Sequence, residues 1–143
     1  MAKEEMVKKI REALKKIETD KREFSLAMLI PTEPNVIDSK LSLIVSAPWL
    51  DKMNPKQAIE LIVKGLKEHL DSSSLSYVSR VTIVNSSDDF VKAINSAFYV
   101  KEGLVNITNC TISGMQIDRA ILLESHRVND SKEGFSGSNV IPK

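Results

Sequence analysis

The chain has 143 residues, an apolar fraction of 42% and a charged fraction of 27%, the proportions of one ordinary folded domain. These values exclude a wholly disordered chain, a collagen-like fibre and a disulfide scaffold, and the single cysteine excludes an intramolecular bridge or a Cys-based zinc site. Twenty Lys and Arg against nineteen Asp and Glu leave a formal charge of +1, so no strong field points to nucleic acid or to an acidic membrane.

Met1 to Lys9 carries charge from the start and no apolar core of a secretory signal, and no run approaches the roughly 18 apolar residues of a membrane span. The expected compartment is the cytoplasm. The first element reads as a helix, because Met6, Val7, Ile10, Ala13, Leu14 and Ile17 form one stripe at about 100° per residue. Lys and Glu occupy its other face.

Two strands are expected next. Phe24, Leu26, Met28 and Ile30 alternate with the small Ser25 and Ala27, and Leu41, Leu43, Val45 and Ala47 repeat the pattern with Ser42 and Ser46 opposite. The segment from Pro31 to Ser39 between them is rich in turn residues and too long for a two-residue hairpin, which predicts an antiparallel pair with a projecting loop. A second helix begins at Asn54 as cap, with Pro55 in its first turn and Gln57 at the capping-box position. Ile59, Ile62, Val63, Leu66 and Leu70 form its stripe, and Gly65 within it marks a close approach or a propensity cost of about 1 kcal/mol.

Tyr77 to Val84 reads as a strand. Ser86 or Ser87 is the expected cap of a third helix, whose Phe90, Val91, Ile94, Ala97 and Phe98 face the core. Leu104 to Ile112 and Ile117 to Val128 read as two final strands joined at Ser113-Gly114. Residues 1–128 are thus one expected domain, and the polar segment 129–143 is a tail whose composition alone makes it mobile. The order α-β-β-α-β-α-β-β predicts an α+β two-layer sandwich: about five strands in a mixed or antiparallel sheet, with three helices on one face.

The chain has no GxGxxG, phosphate-loop, HExxH, GxSxG or calcium-loop pattern. Asp118, Glu124 and His126 share parity on the last strand, and a carboxylate two positions from an imidazole suits a divalent metal or an acid/base pair. The competing expectation is charge guarding a strand edge. His69 reads as an exposed residue at a helix end, and Cys110 as a small inert strand residue. Trp49, Leu50 and Met53 offer apolar area between the second strand and the second helix, either as a contact surface for a partner or as a lid over the core. The basic residues are interleaved with acids, which argues against nucleic acid.

The expected function is a small non-enzymatic protein-binding domain of accessory, inhibitor or immunity type, with Trp49, Leu50 and Met53 at the contact and no cofactor. The alternative is a small metal-dependent hydrolase using Asp118, Glu124 and His126. A third expectation is a homodimer formed through an open sheet face or an edge strand.

Overall fold

A computed structural model of the chain describes residues 3–20, 22–33, 39–101 and 103–128. The tail 129–143 and the middle of the predicted projecting loop, 34–38, lie outside the described residues. The elements run α1 (Lys3–Asp20), β1 (Leu26–Pro31), β2 (Leu41–Ser46), α2 (Pro48–Asp51), α3 (Pro55–His69), α4 (Ser72–Leu75), β3 (Val78–Ile83), α5 (Asp89–Ala97), β4 (Val105–Ile112) and β5 (Met115–Ser125). This is the α+β class in the expected order of elements. The short helices α2 and α4 fall where the sequence suggested connecting segments. No helix among the described residues is long and apolar enough to cross a membrane.

Five strands form one mixed sheet in the order β3-β2-β1-β5-β4. β1 pairs antiparallel with both β2 and β5, and β4 pairs antiparallel with β5. β2 and β3 are parallel, as expected where helices carry the chain back across the sheet. Ser113 and Gly114, at φ 52 and 78, make the tight turn of the β4–β5 hairpin, where a type I′ turn requires positive φ at both positions.

The helices are not all on one face. Leu29 of β1 lies opposite Leu43, and Ala27 opposite Val45; these four residues pack in one cluster with the buried stripes of α1 and α3. Leu26 and Met28, between them on the same strand, join a second cluster with Val91 and Ile94 of α5. Adjacent strand residues point to opposite faces, so α5 covers the side of the sheet away from α1 and α3. The two-layer expectation assumed that the larger residues of β1 and β2 share a face. The register offsets them by one residue, because β1 is apolar at every position from Leu26 to Ile30 and is covered on both sides.

Local signals fix the helix starts. The Asn54 side chain accepts from the Lys56 and Gln57 backbone N–H groups, as expected, while the third helix is capped by Asp88 rather than by Ser86 or Ser87. Ser86 serves a tertiary bond: its backbone N–H and hydroxyl both donate to Asp51, tying the turn before α5 to α2. The predicted stripes are buried apart from Ile59, which is 39% exposed, and the small Ala97, also exposed; Val63, Phe90 and Phe98 are half-buried. Gly65 is where α3 meets α1: a Cβ there would sit 2.6 Å from Ile17 Cδ1.

Candidate functional site

The ladder between β1 and β5 slips once. Ala27 faces Glu124 but Met28 faces Leu122, leaving Leu123 as an extra residue. Such a bulge interrupts the alternation of faces. Ala120 and Leu122 therefore pack in the cluster with α5, while Leu123 joins the α1 side and Glu124 reaches Lys15 of α1. The shared parity expected for Asp118, Glu124 and His126 ends at this slip. Asp118 is exposed near the hairpin tip and accepts from Gln116 Nε2 at 3.4 Å. It lies six residues along the strand from Glu124, about 20 Å at 3.3 Å per residue. The trio is not a site, and no group of three His, Cys, Asp or Glu among the described residues is placed to hold a metal ion.

Glu124 and His126 do meet, in the interior. Both side chains are 4% exposed, and His126 Nε2 lies 2.6 Å from Glu124 Oε2, so the ring N–H donates to the carboxylate. The chain turns out of the sheet after Ser125 while the His126 backbone N–H still donates to the Ser25 carbonyl at 3.0 Å. Tyr99 lies against the imidazole with ring centroids 6.3 Å apart, itself 74% exposed.

The last turns of α1 complete the cluster. Lys15 Nζ stands 3.5 Å from Glu124 Oε1 and 3.5 Å from Glu18 Oε1, and donates to the Lys101 carbonyl at 3.1 Å. Glu18 Oε2 accepts the Phe24 backbone N–H at 2.8 Å, while its Oε1 shares the Lys15 ammonium with Glu124. Glu23 and Lys101, 3.0 Å apart, close the exposed side.

Burial, followed by the hydrogen bond to Glu124, pushes the Glu18 carboxyl up to about 7. Burial also disfavours charge on Glu124, but the hydrogen bonds from His126 and Glu18 and the charge of Lys15 outweigh it and hold Glu124 below the ordinary carboxylate range. The bond to Glu124 raises His126 above the usual imidazole value, against the effect of burial. The arrangement joins α1 to the end of β5 through charged groups. It also satisfies Glu124 and His126 with each other, so they do not form the ligand set of an open metal centre.

Sequence reasoning found two members of this cluster and missed Glu18 and Lys15, which read as part of the solvated face of α1. A signal was available for Glu18: it follows Ile17 and stands four residues after Leu14, at the margin of the buried stripe.

The segment Trp49 to Met53 is the lid over the core. Leu50 is 2% exposed, and Met53 packs half-buried against the α1–α3 cluster. Trp49 stacks at a tilt on Phe24 with centroids 5.7 Å apart, and its indole N–H donates to the Arg22 carbonyl at 2.9 Å. A Trp whose polar atom is already bonded to its own chain and whose neighbours are core residues is no exposed contact patch. His69 ends α3 in an exposed position, and Cys110 is half-buried on β4, as expected.

A second feature lies near the start of α1. A cleft of about 400 Å³ is lined by Val7 and Lys8 of α1, by Pro31 and Leu104, and by residues 106–108 and 119–121 of the β4–β5 hairpin. β4 is an edge strand with β5 as its neighbour. Its eight residues, Val105 to Ile112, include no Lys, Arg, Asp, Glu or Pro. Natural edge strands are usually blunted by such residues. The chain matches no protein-family model, no curated protein and no solved structure, so function is argued from these features themselves.

Proposed function

We propose that the protein is a non-enzymatic binding module that takes an extended segment of another protein along the outer edge of β4. The observation that carries this reading is the uncharged, proline-free edge of eight residues beside an open cleft. A strand laid against an edge gains main-chain hydrogen bonds, and its alternate side chains enter whatever pocket lies on one side. Here that pocket is bordered by Lys8 and Arg119, which favours a segment with an acidic side chain next to an apolar one. A second copy of β4 offers only Val, Asn, Ile, Thr and Cys, without the acid that the cleft selects, so a different partner fits better than self-pairing. A cytoplasmic setting belongs to this reading.

The test is an NMR titration with a synthetic extended peptide of alternating Val and Thr carrying one Asp. Backbone amides of β4 should shift first. Thr108→Glu, which sets a carboxylate at an exposed position of the cleft against the Asp of the peptide, should weaken binding at least about tenfold, a loss of roughly 1.4 kcal/mol. Shifts confined to other strands, or none at millimolar peptide, would refute the proposal. So would a concentration-dependent dimer, in sedimentation, that Thr108→Glu dissociates, since the edge would then serve self-association.

A further inference from the structure

Two cations of α1 stand beside the cleft of about 400 Å³ without a counter-charge. Lys8 lines the cleft, and Arg11 follows three residues later on the same face of the helix. Among the described residues neither has a carboxylate partner. The acids on this side of α1 go elsewhere, Glu18 and Glu124 to Lys15 and Glu23 to Lys101. Arg11 Nη2 reaches only the Lys101 carbonyl, at 3.5 Å, and its Nε is buried with no acceptor. A buried donor without an acceptor is costly, and more so on a charged group. The cleft itself offers Val7, Pro31, Leu104 and Ile121 as an aliphatic wall, with Asn106 and Thr108 as polar edges. None of its described lining residues is aromatic, so a planar ring would find no stacking partner there.

We infer that the cleft is a binding site for a small aliphatic carboxylate, whose chain lies on the apolar wall and whose carboxylate is held by Lys8 and Arg11. The volume is that of a small-molecule site. Along β4 the cleft runs from Leu104 to Thr108, about 13 Å at 3.3 Å per residue, which suits an unbranched chain of medium length. Arginine is shaped for a carboxylate, because two parallel N–H groups on one edge of the guanidinium meet both oxygens at once. On Arg11 the edge formed by Nε and Nη2 is the one its own chain serves poorly. Turning the guanidinium from the Lys101 carbonyl to a ligand exchanges one long bond for a bidentate pair. Lys8 adds an exposed point charge, and Arg119 raises the positive potential of the same cleft. Asn106 and Thr108 lie beside Ile121 and Arg119 across the ladder, so the site is on the sheet face. It stands whether or not a strand adds to the outer edge of β4.

Octanoate is the probe, titrated into isotope-labelled protein and followed by backbone amide shifts. Octanamide keeps the chain and removes the charge, whereas acetate keeps the charge and removes the chain. Octanoate should shift the amides of Val7, Lys8, Leu104 and Ile121 to saturation. Octanamide should bind at least about tenfold more weakly, and acetate should leave those amides unmoved. Lys8→Gln combined with Arg11→Gln should lower octanoate affinity at least about tenfold and leave octanamide unchanged. Glutamine is a good helix former, so α1 persists in that variant. Asn106→Trp, at an exposed position, should fill the cleft and abolish binding of both compounds. Equal affinity for octanoate and octanamide, shifts spread over the whole protein, no binding at millimolar octanoate, or full affinity in either variant would overturn the proposal. If the variants fail to fold, the comparison of octanoate with octanamide in the parent decides the matter alone.

Discussion

Glu124 and His126 are two positions apart in the chain, yet Oε2 of one and Nε2 of the other lie 2.6 Å apart in the interior. Alternate residues of a regular strand keep their Cα atoms about 6.6 Å apart with side chains side by side. Here β5 ends at Ser125, so the imidazole comes from beyond the strand and reaches back to the carboxylate.

His126→Ala removes the donor and leaves Glu124 buried with one partner fewer. Breaking a buried charge pair in this way costs about 3 kcal/mol. The loss depends on pH. The Glu124 bond raises His126, so the charged pair contributes fully below the ordinary imidazole value of 6.5 and fades as pH rises through the folded one. Glu124 is held low, so its contribution is present above its ordinary 4.5 and is lost as pH falls through its folded value. Denaturant melts should show the largest gap between parent and His126→Ala between those two values. A smaller gap should persist at alkaline pH, where neutral imidazole still donates its N–H. Asp118→Asn, on the exposed hairpin, should stay within about 0.5 kcal/mol of the parent throughout.

Gly65→Ala should destabilise, although alanine is the better helix former. A Cβ at this position stands 2.6 Å from Ile17 Cδ1 and 2.7 Å from Ile17 Cγ1. Overpacking costs about 1–3 kcal/mol against a propensity gain of about 1 kcal/mol, so a net loss of about 1 kcal/mol is expected. Ile17→Val removes the nearer atom. A double-mutant cycle should show the pair to be less destabilised than the sum of the single changes. Additive effects would show that α1 and α3 do not meet at this point.

Trp49→Phe keeps an aromatic ring against Phe24 and removes the indole N–H that serves the Arg22 carbonyl. It should cost about 1 kcal/mol in chemical denaturation. Trp49→Ala should cost about 2–3 kcal/mol, below the loss for a fully buried Trp because the ring is half-exposed. Peptide binding at β4 should be unchanged in Trp49→Phe, because the lid and the edge are separate surfaces.

Interactions within a few residues are written in the chain and survive transfer to any context. The stripe of α1, the Asn54 cap, the Ser113-Gly114 turn and the antiparallel hairpins follow from spacing, side-chain acceptors and tolerance of positive φ. They were legible for that reason. The register of β1 on β2 was not, since a strand apolar at every position specifies neither face, and one residue of offset sends Leu26 and Met28 toward α5. Nor was the slip at Leu123, which separates Asp118 from Glu124 and turns the carboxylate toward a helix more than a hundred residues earlier. Sequence alone determined the three longer helices, the strands and the apolar stripes of α1 and α3. Tertiary structure alone decided that Glu18, Lys15, Glu124 and His126 meet in one place, because a cluster of charged groups depends on distances between residues that chain order does not encode.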